Sequence, residues 1–374
     1  MPIRVALNAQ LLSGQQSYRA AGIHRYICSL IEHLPDADSR FAYTAFTSNT
    51  APTLHPSIAI QRTSLKTEKP FTRIFWEQVL QPFALRGSGA ELVHCMAFVA
   101  PLVAATPSVI TIHDLSFRRA PERFRGPHRA YLSLFTQLSC QRAKRLIAVS
   151  KFTKQEVMDV YGVPAEKIDV VYSGVDPWFS PPIPEAVAAF RELRGLPEKF
   201  ILYVGTIEPR KNLSTLIRAY AKLRPNGVKL ICAGGRGWMY EDVFQTVEEL
   251  RLSRDVIFPG YVAEEDLPMW YAAAKVFVYP STYEGFGLPV IEAMACGTPT
   301  ITTNASSLPE AAGDAALLVP PDDADALSEA LARLLDSESL REELSARGLK
   351  HTDKFNWPDT ARETARVYAR ALDL

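Results

Sequence analysis

Short apolar runs alternate with amphipathic stretches along the chain, and the runs have the length and side-chain types of buried strands. The runs cover residues 3–7, 92–95, 109–113, 145–149 and 168–172 in the first half, and 201–205, 229–233, 256–259, 276–279, 300–303 and 317–319 in the second. Apolar positions at helical spacing follow many of them, as at 23–34 and 213–220. This alternation predicts an α/β protein with parallel sheets that carry helices on both faces.

The length of 374 residues is sufficient for two domains of ordinary size. Residues 172–184 read YSGVDPWFSPPIP, and four prolines and a glycine in one short segment are typical of a linker. We therefore predict a first domain over residues 1–175 and a second domain that begins at residue 176.

The segment 276–301 predicts a strand, a polar turn and a helix. Residues 276–279 are β-branched or aromatic, Pro280 and Ser281 end the strand, and Gly285 and Gly287 free the backbone of the turn. A helix then begins at Leu288. Backbone N–H groups of Gly285, Phe286, Gly287 and Leu288 would lie near the positive end of that helix, which is a favourable place for an anion.

Two carboxylates flank this turn, Glu284 before it and Glu292 within the helix, with seven residues between them. Because Glu284 lies in the turn, we expect the two side chains to point into one crevice from two elements. Carboxylates accept hydrogen bonds from vicinal hydroxyls, and bare amides donate to phosphate oxygens, so the arrangement suits a sugar nucleotide. The alternative is an acidic turn beside a core helix.

Two further strand ends carry candidate site residues. The run 201–205 ends in GTIEPRKN, in which Gly205 is followed by Arg210 and Lys211 at the start of the next helix. A guanidinium fork and an ammonium at that place suit a diphosphate. The run 109–113 ends in His113, which at a strand tip can donate to a sugar hydroxyl or stabilise a cationic centre, unless it is a packed core residue.

These motifs resemble the retaining glycosyltransferases of family 4. The stretch EGFGLPVIE, from Glu284 to Glu292, is similar to the E-x7-E signature of that family, and GTIEPRKN is similar to its region for the leaving diphosphate. The resemblance implies the GT-B fold, in which two Rossmann-like domains have parallel sheets that face each other across a cleft. It also implies a second domain over 176–356 that binds the donor, and a last helix, 357–374, that packs back on the first domain, which binds the acceptor.

The resemblance extends to site roles and to the reaction. Gly22 would end a glycine-containing loop, 11–22, that closes over the donor sugar, although a plain surface loop is the alternative. His113, Arg210, Lys211 and Glu284 would be catalytic, and Glu292 would accept from the ribose hydroxyls. Members with a G-I-x-R-Y segment, like residues 22–26, and an H-D pair use GDP-mannose or related donors. The resemblance thus implies front-face transfer of a hexose, with mannose favoured, to a glycan, lipid-linked or small-molecule acceptor.

We predict that no metal and no cofactor takes part beyond the nucleotide sugar itself. The sequence contains two D-x-D triplets, at 36–38 and 323–325, but the first falls at the wrong edge of its sheet and the second is placed as a helix N-terminus. Signatures for a P-loop and for dinucleotide binding are absent. A nucleotide-sugar-binding or epimerase-type protein of the same fold, without transferase activity, is the alternative function.

Charge and apolar surface bear on partners and location. Residues 1–180 contain 20 lysines and arginines against 13 acidic residues, and the rest contain 21 against 28, a split that disfavours nucleic acid and permits a basic first half near an anionic acceptor or membrane. The arginine-rich segment 116–131 is either such an acceptor-side patch or a solvated helix face. The amphipathic segment 71–85 is interpreted first as a helix packed on its own sheet, and otherwise as a membrane-surface helix.

We expect a cytoplasmic protein, with a peripheral position at the inner face of the membrane left open. The five cysteines are an odd, scattered set without a C-x-x-C pair, which indicates buried thiols in a reducing compartment. The chain opens with the strand-like IRVALNA, and no apolar run approaches the roughly 18–20 residues of a membrane span, so neither secretion nor spanning is expected.

Overall fold

A computed structural model describes residues 1–12, 21–67, 69–119, 126–223 and 227–374. The chain divides into two compact units, one formed by Met1–Gly174 with Trp357–Leu374 and the other by Val175–Asn356. The expected division lay between residues 175 and 176, within the proline-rich segment. Each unit is a parallel sheet with helices packed on it, which confirms the predicted α/β class of two Rossmann-like units.

The first unit has a seven-stranded sheet in the order β3-β2-β1-β4-β5-β6-β7. Its strands are β1 Ile3–Asn8, β2 Phe41–Ser48, β3 Ala59–Thr63, β4 Leu92–Cys95, β5 Ser108–Ile112, β6 Arg145–Ala148 and β7 Ile168–Val170. Its helices before the linker are α1 Ala21–Ala37, α2 Pro70–Phe75, α3 Gln81–Ser88, α4 Ser116–Arg119, α5 Gly126–Arg142 and α6 Lys151–Tyr161. The sequence pattern missed β2 and β3, and it extended β5 by one residue, since His113 follows the strand.

The second unit has a six-stranded sheet in the order β10-β9-β8-β11-β12-β13. Its strands are β8 Lys199–Val204, β9 Val228–Ala233, β10 Val256–Gly260, β11 Val276–Tyr279, β12 Thr300–Thr303 and β13 Ala316–Val319. Its helices are α7 Pro184–Arg194, α8 Leu213–Leu223, α9 Glu241–Glu249, α10 Leu267–Ala273, α11 Leu288–Ala295, α12 Leu308–Ala312, α13 Ala324–Asp336 and α14 Glu338–Thr352. All six predicted strands of this unit are present, with ends within two residues of prediction.

The last helix, α15 Trp357–Ala371, belongs to the first unit. It packs along α1, where the rings of Trp357 and Tyr26 lie 5.9 Å apart. The hydroxyl of Tyr368 is 2.7 Å from Nδ1 of the buried His94. These contacts are with elements far away in sequence, so the helix closes the first unit after the chain has completed the second.

The segment 70–88 corrects the preferred interpretation of its amphipathic pattern. It consists of α2, a π turn over Trp76–Leu80 and α3. The expected sheet-facing row, Phe71, Phe75, Val79 and Phe83, is exposed, and only Ile74 of that set is half-buried. The opposite face is buried and carries Trp76, Glu77, Gln81 and Leu85. No helix in the described part of the chain is both long and apolar enough to cross a bilayer.

Candidate active site

Two loops meet at the carboxyl edge of the second sheet. Strands β8 and β11 are parallel neighbours, with Val276 opposite Ile201, so the loops that follow them emerge side by side. The carbonyl oxygen of Arg210 accepts from the backbone N–H of Thr282 at 2.8 Å and from the Ser281 hydroxyl at 2.9 Å. Ligands of such sheets bind at this edge, so both loops lie where a ligand would bind.

A buried cluster of charges joins the two loops. Arg210 Nη1 donates to Glu284 Oε2 at 2.8 Å, and Lys211 Nζ donates to Glu284 Oε1 at 2.6 Å. Arg210 Nε lies 2.6 Å from the carboxylate of Glu208. The structure therefore brings three of the predicted catalytic residues together, although 73 residues separate Lys211 from Glu284.

Neighbouring hydroxyls complete the partners of Glu284. Ser281 donates to Oε1 at 2.6 Å, Tyr279 donates to the same oxygen at 3.1 Å, and Lys211 also contacts the hydroxyl of Tyr279. Tyr279, Glu208 and the serine hydroxyls are site groups that the sequence motifs did not predict. Their positions at the end of a strand and in the two predicted ligand loops were the available signal.

The charges fix the protonation state of Glu284. Burial alone would raise the pKa of this carboxyl, but Arg210, Lys211 and the hydrogen bonds overcome that effect and lower the pKa to about 2. Burial, followed by the charge of Arg210, lowers the pKa of the Lys211 ammonium. Glu284 is thus ionised at neutral pH, and both of its oxygens are engaged.

The helix after the second loop begins without a side-chain cap. Gly287 precedes α11 with a φ of +119°, and a Cβ atom there would lie 2.9 Å from a methyl carbon of Leu308. Glycine is therefore required at this position. The Phe286 side chain is buried against Phe355, with ring centroids 5.4 Å apart, so any contact of Phe286 with a ligand would come from its backbone.

Close packing also surrounds Gly205, the first residue after β8. A Cβ atom on Gly205 would lie 2.9 Å from the Tyr203 hydroxyl, and one on Gly234, the first residue after β9, would lie 1.9 Å from the Gly205 carbonyl oxygen. The backbones of Gly205 and Gly234 are in close contact, and the absence of a side chain at both positions permits this contact. The backbone at this corner of the site is therefore held in a fixed position.

Glu292 lies in the middle of α11 and is buried. It accepts from the Tyr271 hydroxyl at 3.1 Å, whereas Glu284 is held by the cations and hydroxyls of the neighbouring loops. The two carboxylates belong to the same unit and flank the same turn. The role of Glu292 toward ribose hydroxyls stays a prediction.

His113 and Gly22 belong to the first unit. Nε2 of His113 is 2.8 Å from the Met96 carbonyl oxygen, which can only accept, so Nε2 carries a proton and donates it there. Burial lowers the pKa of the imidazole and favours its neutral form. The remaining nitrogen, Nδ1, is then the acceptor of the neutral ring, and the role of His113 toward a sugar hydroxyl or a cationic centre stays a prediction.

Gly22 is the second residue of α1 and is exposed, while residues 13–20 of its predicted loop lie outside the described residues.

In the arginine-rich segment, Arg119 pairs with Glu156 at 2.8 Å and the guanidinium of Arg118 lies 5.4 Å from the ring centre of Tyr161. Arg123 and Arg125 also lie outside the described residues. The choice between an acceptor-side patch and a solvated face stays open.

Neither D-x-D triplet has the setting of a metal site. Asp323 caps α13 by accepting from the N–H groups of Asp325 and Ala326, and Asp38 pairs with Arg40 at 2.7 Å at the amino edge of the first sheet. Among the residues that the structure describes, no group of three or more histidine, cysteine or acidic side chains is suited to hold a metal ion. Metal independence itself stays a prediction.

A buried carboxyl in the first unit gives a prediction on stability. Burial raises the pKa of Glu77 to about 7, only partly offset by Arg73, whose Nε is 4.0 Å from the carboxylate. A raised folded-state pKa means that the folded state binds more protons than the unfolded state. The free energy of unfolding therefore decreases as pH rises from the ordinary carboxyl pKa toward 7. Replacing Glu77 with glutamine should therefore stabilise the protein by an amount that grows to about 2–3 kcal/mol at neutral pH.

The measurement is urea unfolding of both proteins from about pH 5 to about pH 8. Glu166→Gln, at an exposed position of the same unit, is the matched control and should show a flat difference. A Glu77→Gln difference that does not change with pH would contradict the assignment of a proton to Glu77.

Two family models together match most of the chain. Residues 20–179 match the family model described as Glycosyltransferase Family 4, and residues 188–351 match the model described as Glycosyl transferases group 1. The O-antigen chain mannosyltransferase B of Escherichia coli is 36% identical over 293 residues, which cover 77% of this chain and 76% of that protein. The serotype-specific mannosyltransferase WbdA of Escherichia coli is 31% identical over 273 residues, 71% of this chain but only 34% of the relative.

A solved structure supports the fold over the whole chain. Sucrose-phosphate synthase from Thermosynechococcus elongatus superposes with a TM-score of 0.80, covers 99% of both chains and is 24% identical. This likeness concerns the fold alone.

Proposed function

The chain belongs to the glycosyltransferases of family 4, with the GT-B fold, and on that premise we propose that it is a retaining hexosyltransferase that moves mannose from a nucleoside diphosphate donor, GDP-mannose first, to a saccharide acceptor. The observation that carries the proposal is the cluster of Arg210, Lys211 and Glu284 at the carboxyl edge of the second sheet. Two relatives named as mannosyltransferases support mannose as the sugar.

The cations are placed to stabilise a leaving diphosphate. When the bond between the anomeric carbon and the phosphate oxygen breaks, negative charge grows on the diphosphate, and fixed cations stabilise that charge without having to reorganise. Among described partners, Lys211 uses two of its three N–H groups, on Tyr279 and Glu284. The third N–H group of Lys211 would donate to a phosphate oxygen, which supports its role toward the diphosphate.

The state of Glu284 supports front-face transfer over a double displacement through this residue. A carboxylate whose two oxygens already accept from Lys211, Ser281, Tyr279 and Arg210 is a poor nucleophile, and a pKa of about 2 makes it a poor base. We therefore assign the acceptor proton to an oxygen of the departing diphosphate. The acceptor oxygen bonds to the anomeric carbon on the face that the diphosphate leaves, and configuration is retained.

The remaining donor contacts extend the proposal. Gly205, Gly285, Gly287 and Leu288 would approach the donor through their backbone, and Glu292 would accept from the ribose hydroxyls. His113, through Nδ1, and Gly22 would contribute from the first unit. We further propose a cytoplasmic enzyme with a glycan or lipid-linked acceptor; four of the five free cysteines are buried and the fifth is half-buried, in line with a reducing compartment.

The experiment is release of nucleoside diphosphate from a panel of GDP- and UDP-sugars, with the anomeric configuration of any transferred sugar followed by NMR. Mannose transfer from GDP-mannose with retention is expected. Release from a different donor would show that mannose is the wrong sugar, and inversion of the anomeric configuration would overturn the mechanism. Tight binding without release from any donor would favour the non-transferring alternative.

Turnover should survive excess chelator, because Arg210 and Lys211 supply the positive charge that a divalent ion supplies elsewhere. The check is the initial rate with EDTA, before and after addition of Mg²⁺ or Mn²⁺. A rate that collapses with EDTA and returns with either ion would show that the cation pair is insufficient.

A further inference from the structure

An exposed apolar row runs along the segment 70–88 of the first unit. Phe71 is 80% exposed, Phe75 50%, Val79 44% and Phe83 69%. Single exposed apolar residues are ordinary, but four large ones in line on one helical segment form a patch of the kind that marks an interaction site. We name these four residues the apolar row.

The π turn inside this segment explains how the row stays aligned. Residues four apart drift around an α-helix because 3.6 residues make one turn. A π turn, with its i→i+5 hydrogen bonds, winds more slowly, and here it spans Trp76–Leu80, between Phe75 and Phe83. The same turn directs Trp76 and Glu77 into the core. The π turn therefore offsets the α-helical drift and keeps the apolar row on one exposed side of the segment.

The apolar row continues into a groove with a basic rim. Phe83 and the 76% exposed Val103 line a groove of about 220 Å³, together with Arg86. An adjoining groove of about 300 Å³ shares part of this lining and is bordered by Arg142 and Lys144. Lys144 directly precedes β6, so this rim lies at the amino edge of the first unit's sheet.

Exposed charges around the row are mainly positive. Lys66, Lys69, Arg86, Arg142 and Lys144 are exposed. The acidic Glu77 is turned inward and buried, whereas Glu91 is exposed and accepts from the Arg4 backbone. Glu68 lies outside the described residues. The surface thus combines exposed aromatic side chains, a type that favours the acyl boundary of a bilayer, with cations, which favour phosphates.

We propose that the apolar row and its basic rim form a docking surface for an anionic lipid bilayer. A second copy of the chain fits less well, because a symmetric contact would bring the same cations together. The function proposed above includes a lipid-linked acceptor but names no surface that contacts the membrane, and the apolar row would be that surface. It does not depend on the donor chemistry, and its test uses no nucleotide sugar.

The test is cosedimentation of the full chain with vesicles of phosphatidylcholine, with and without phosphatidylglycerol. Binding to the anionic vesicles is expected, and it should weaken as salt is raised from about 0.1 M to about 1 M. A triple variant, Phe71→Ser, Phe75→Ser and Phe83→Ser, should bind at least about tenfold more weakly. Arg86→Gln with Arg142→Gln and Lys144→Gln should lose the preference for phosphatidylglycerol.

The matched control is Ile183→Ser with Leu193→Ser, which removes equally exposed apolar side chains from the second unit and should leave binding unchanged. Circular dichroism melts check that every variant folds. Three results would overturn the proposal: no wild-type binding, equal loss in the control variant, or a concentration-dependent dimer that only the triple variant abolishes. The last would assign the row to a second copy.

Discussion

Replacing Lys211 with alanine is expected to lower kcat by roughly 10²–10³-fold, the loss that follows removal of one preorganised electrostatic donor. Lys211 is buried beside Glu284, so its position is set before the donor arrives. If the ammonium acted only on the bound donor, the substitution would raise KM and spare kcat. Charge builds on the diphosphate as the glycosidic bond breaks, so the loss should fall mainly on kcat.

Arg210 provides the companion experiment. Arg210→Ala should also lower kcat, and Arg210→Lys should recover only part, because an ammonium cannot reproduce a guanidinium fork. Lys222→Ala is the matched control: this exposed lysine of the same unit pairs with Asp325, far from the ligand loops, and its loss should leave kcat unchanged. Near-normal kcat in folded Arg210→Ala and Lys211→Ala proteins would show that the site binds nucleotide without driving its departure.

Replacing Glu284 with glutamine should destabilise the protein by about 3–5 kcal/mol, the usual effect of removing one partner of a buried ion pair. Lys211 and Arg210 would lose the carboxylate that both of them contact, while the shape of the side chain is retained. The same variant should be stabilised more than the wild type by a nucleoside diphosphate, because the ligand's phosphates would supply the missing negative charge.

The pH dependence has a defined sign. The pKa of Glu284 is lowered to about 2 in the folded protein, so its contribution to stability is present above the ordinary carboxyl pKa and is lost as pH falls toward 2. Urea unfolding at several pH values should show the difference between wild type and Glu284→Gln shrink with acidity. Glu343→Gln, in an exposed pair with Arg347, should cost no more than about 1 kcal/mol. An equally small cost for Glu284→Gln would contradict the cluster as described.

The strand pattern of the second unit was predictable because its strands are short, apolar and each followed by a clear turn. The strands of the first unit were harder to predict. Strand β3, AIQRT, lies at the sheet edge and is largely exposed, so it carries no apolar alternation. Strand β2, FAYTAFTS, is second from the edge of the sheet and mixes small and polar residues with aromatic ones. Neither has the continuous apolar run by which the other strands were found.

Helix 70–88 shows a different limit. Periodicity identifies an apolar row, but it does not say whether that row faces the sheet or the solvent. The buried face here includes Glu77 and Gln81, which are polar, so the sequence pattern favoured the wrong side. The polar Gln81 is accommodated by a contact distant in sequence, since it accepts from the side-chain amide of Asn8, and such a contact depends on the tertiary structure.

At the site, the sequence identified which loops carry the chemistry but not how the charges pair. Arg210 and Lys211 were expected to be available to a diphosphate, and Glu284 to a sugar hydroxyl. Those roles stay predictions, and the structure adds that Arg210 and Lys211 both contact Glu284, because β8 and β11 are neighbours in the sheet. That adjacency is a property of topology and is not visible in the spacing of the motifs. The resulting cluster is compensated in charge before any ligand binds.

The most direct test of the leaving-group site is calorimetric titration of the wild type and Lys211→Ala with GDP, GMP, UDP and UMP. The difference between diphosphate and monophosphate isolates the contacts to the terminal phosphate. For the nucleotide that binds, we predict that the wild type prefers the diphosphate by roughly tenfold or more, and that Lys211→Ala loses most of this preference while monophosphate affinity is unchanged. An undiminished preference in Lys211→Ala would contradict the assignment of this residue to the diphosphate.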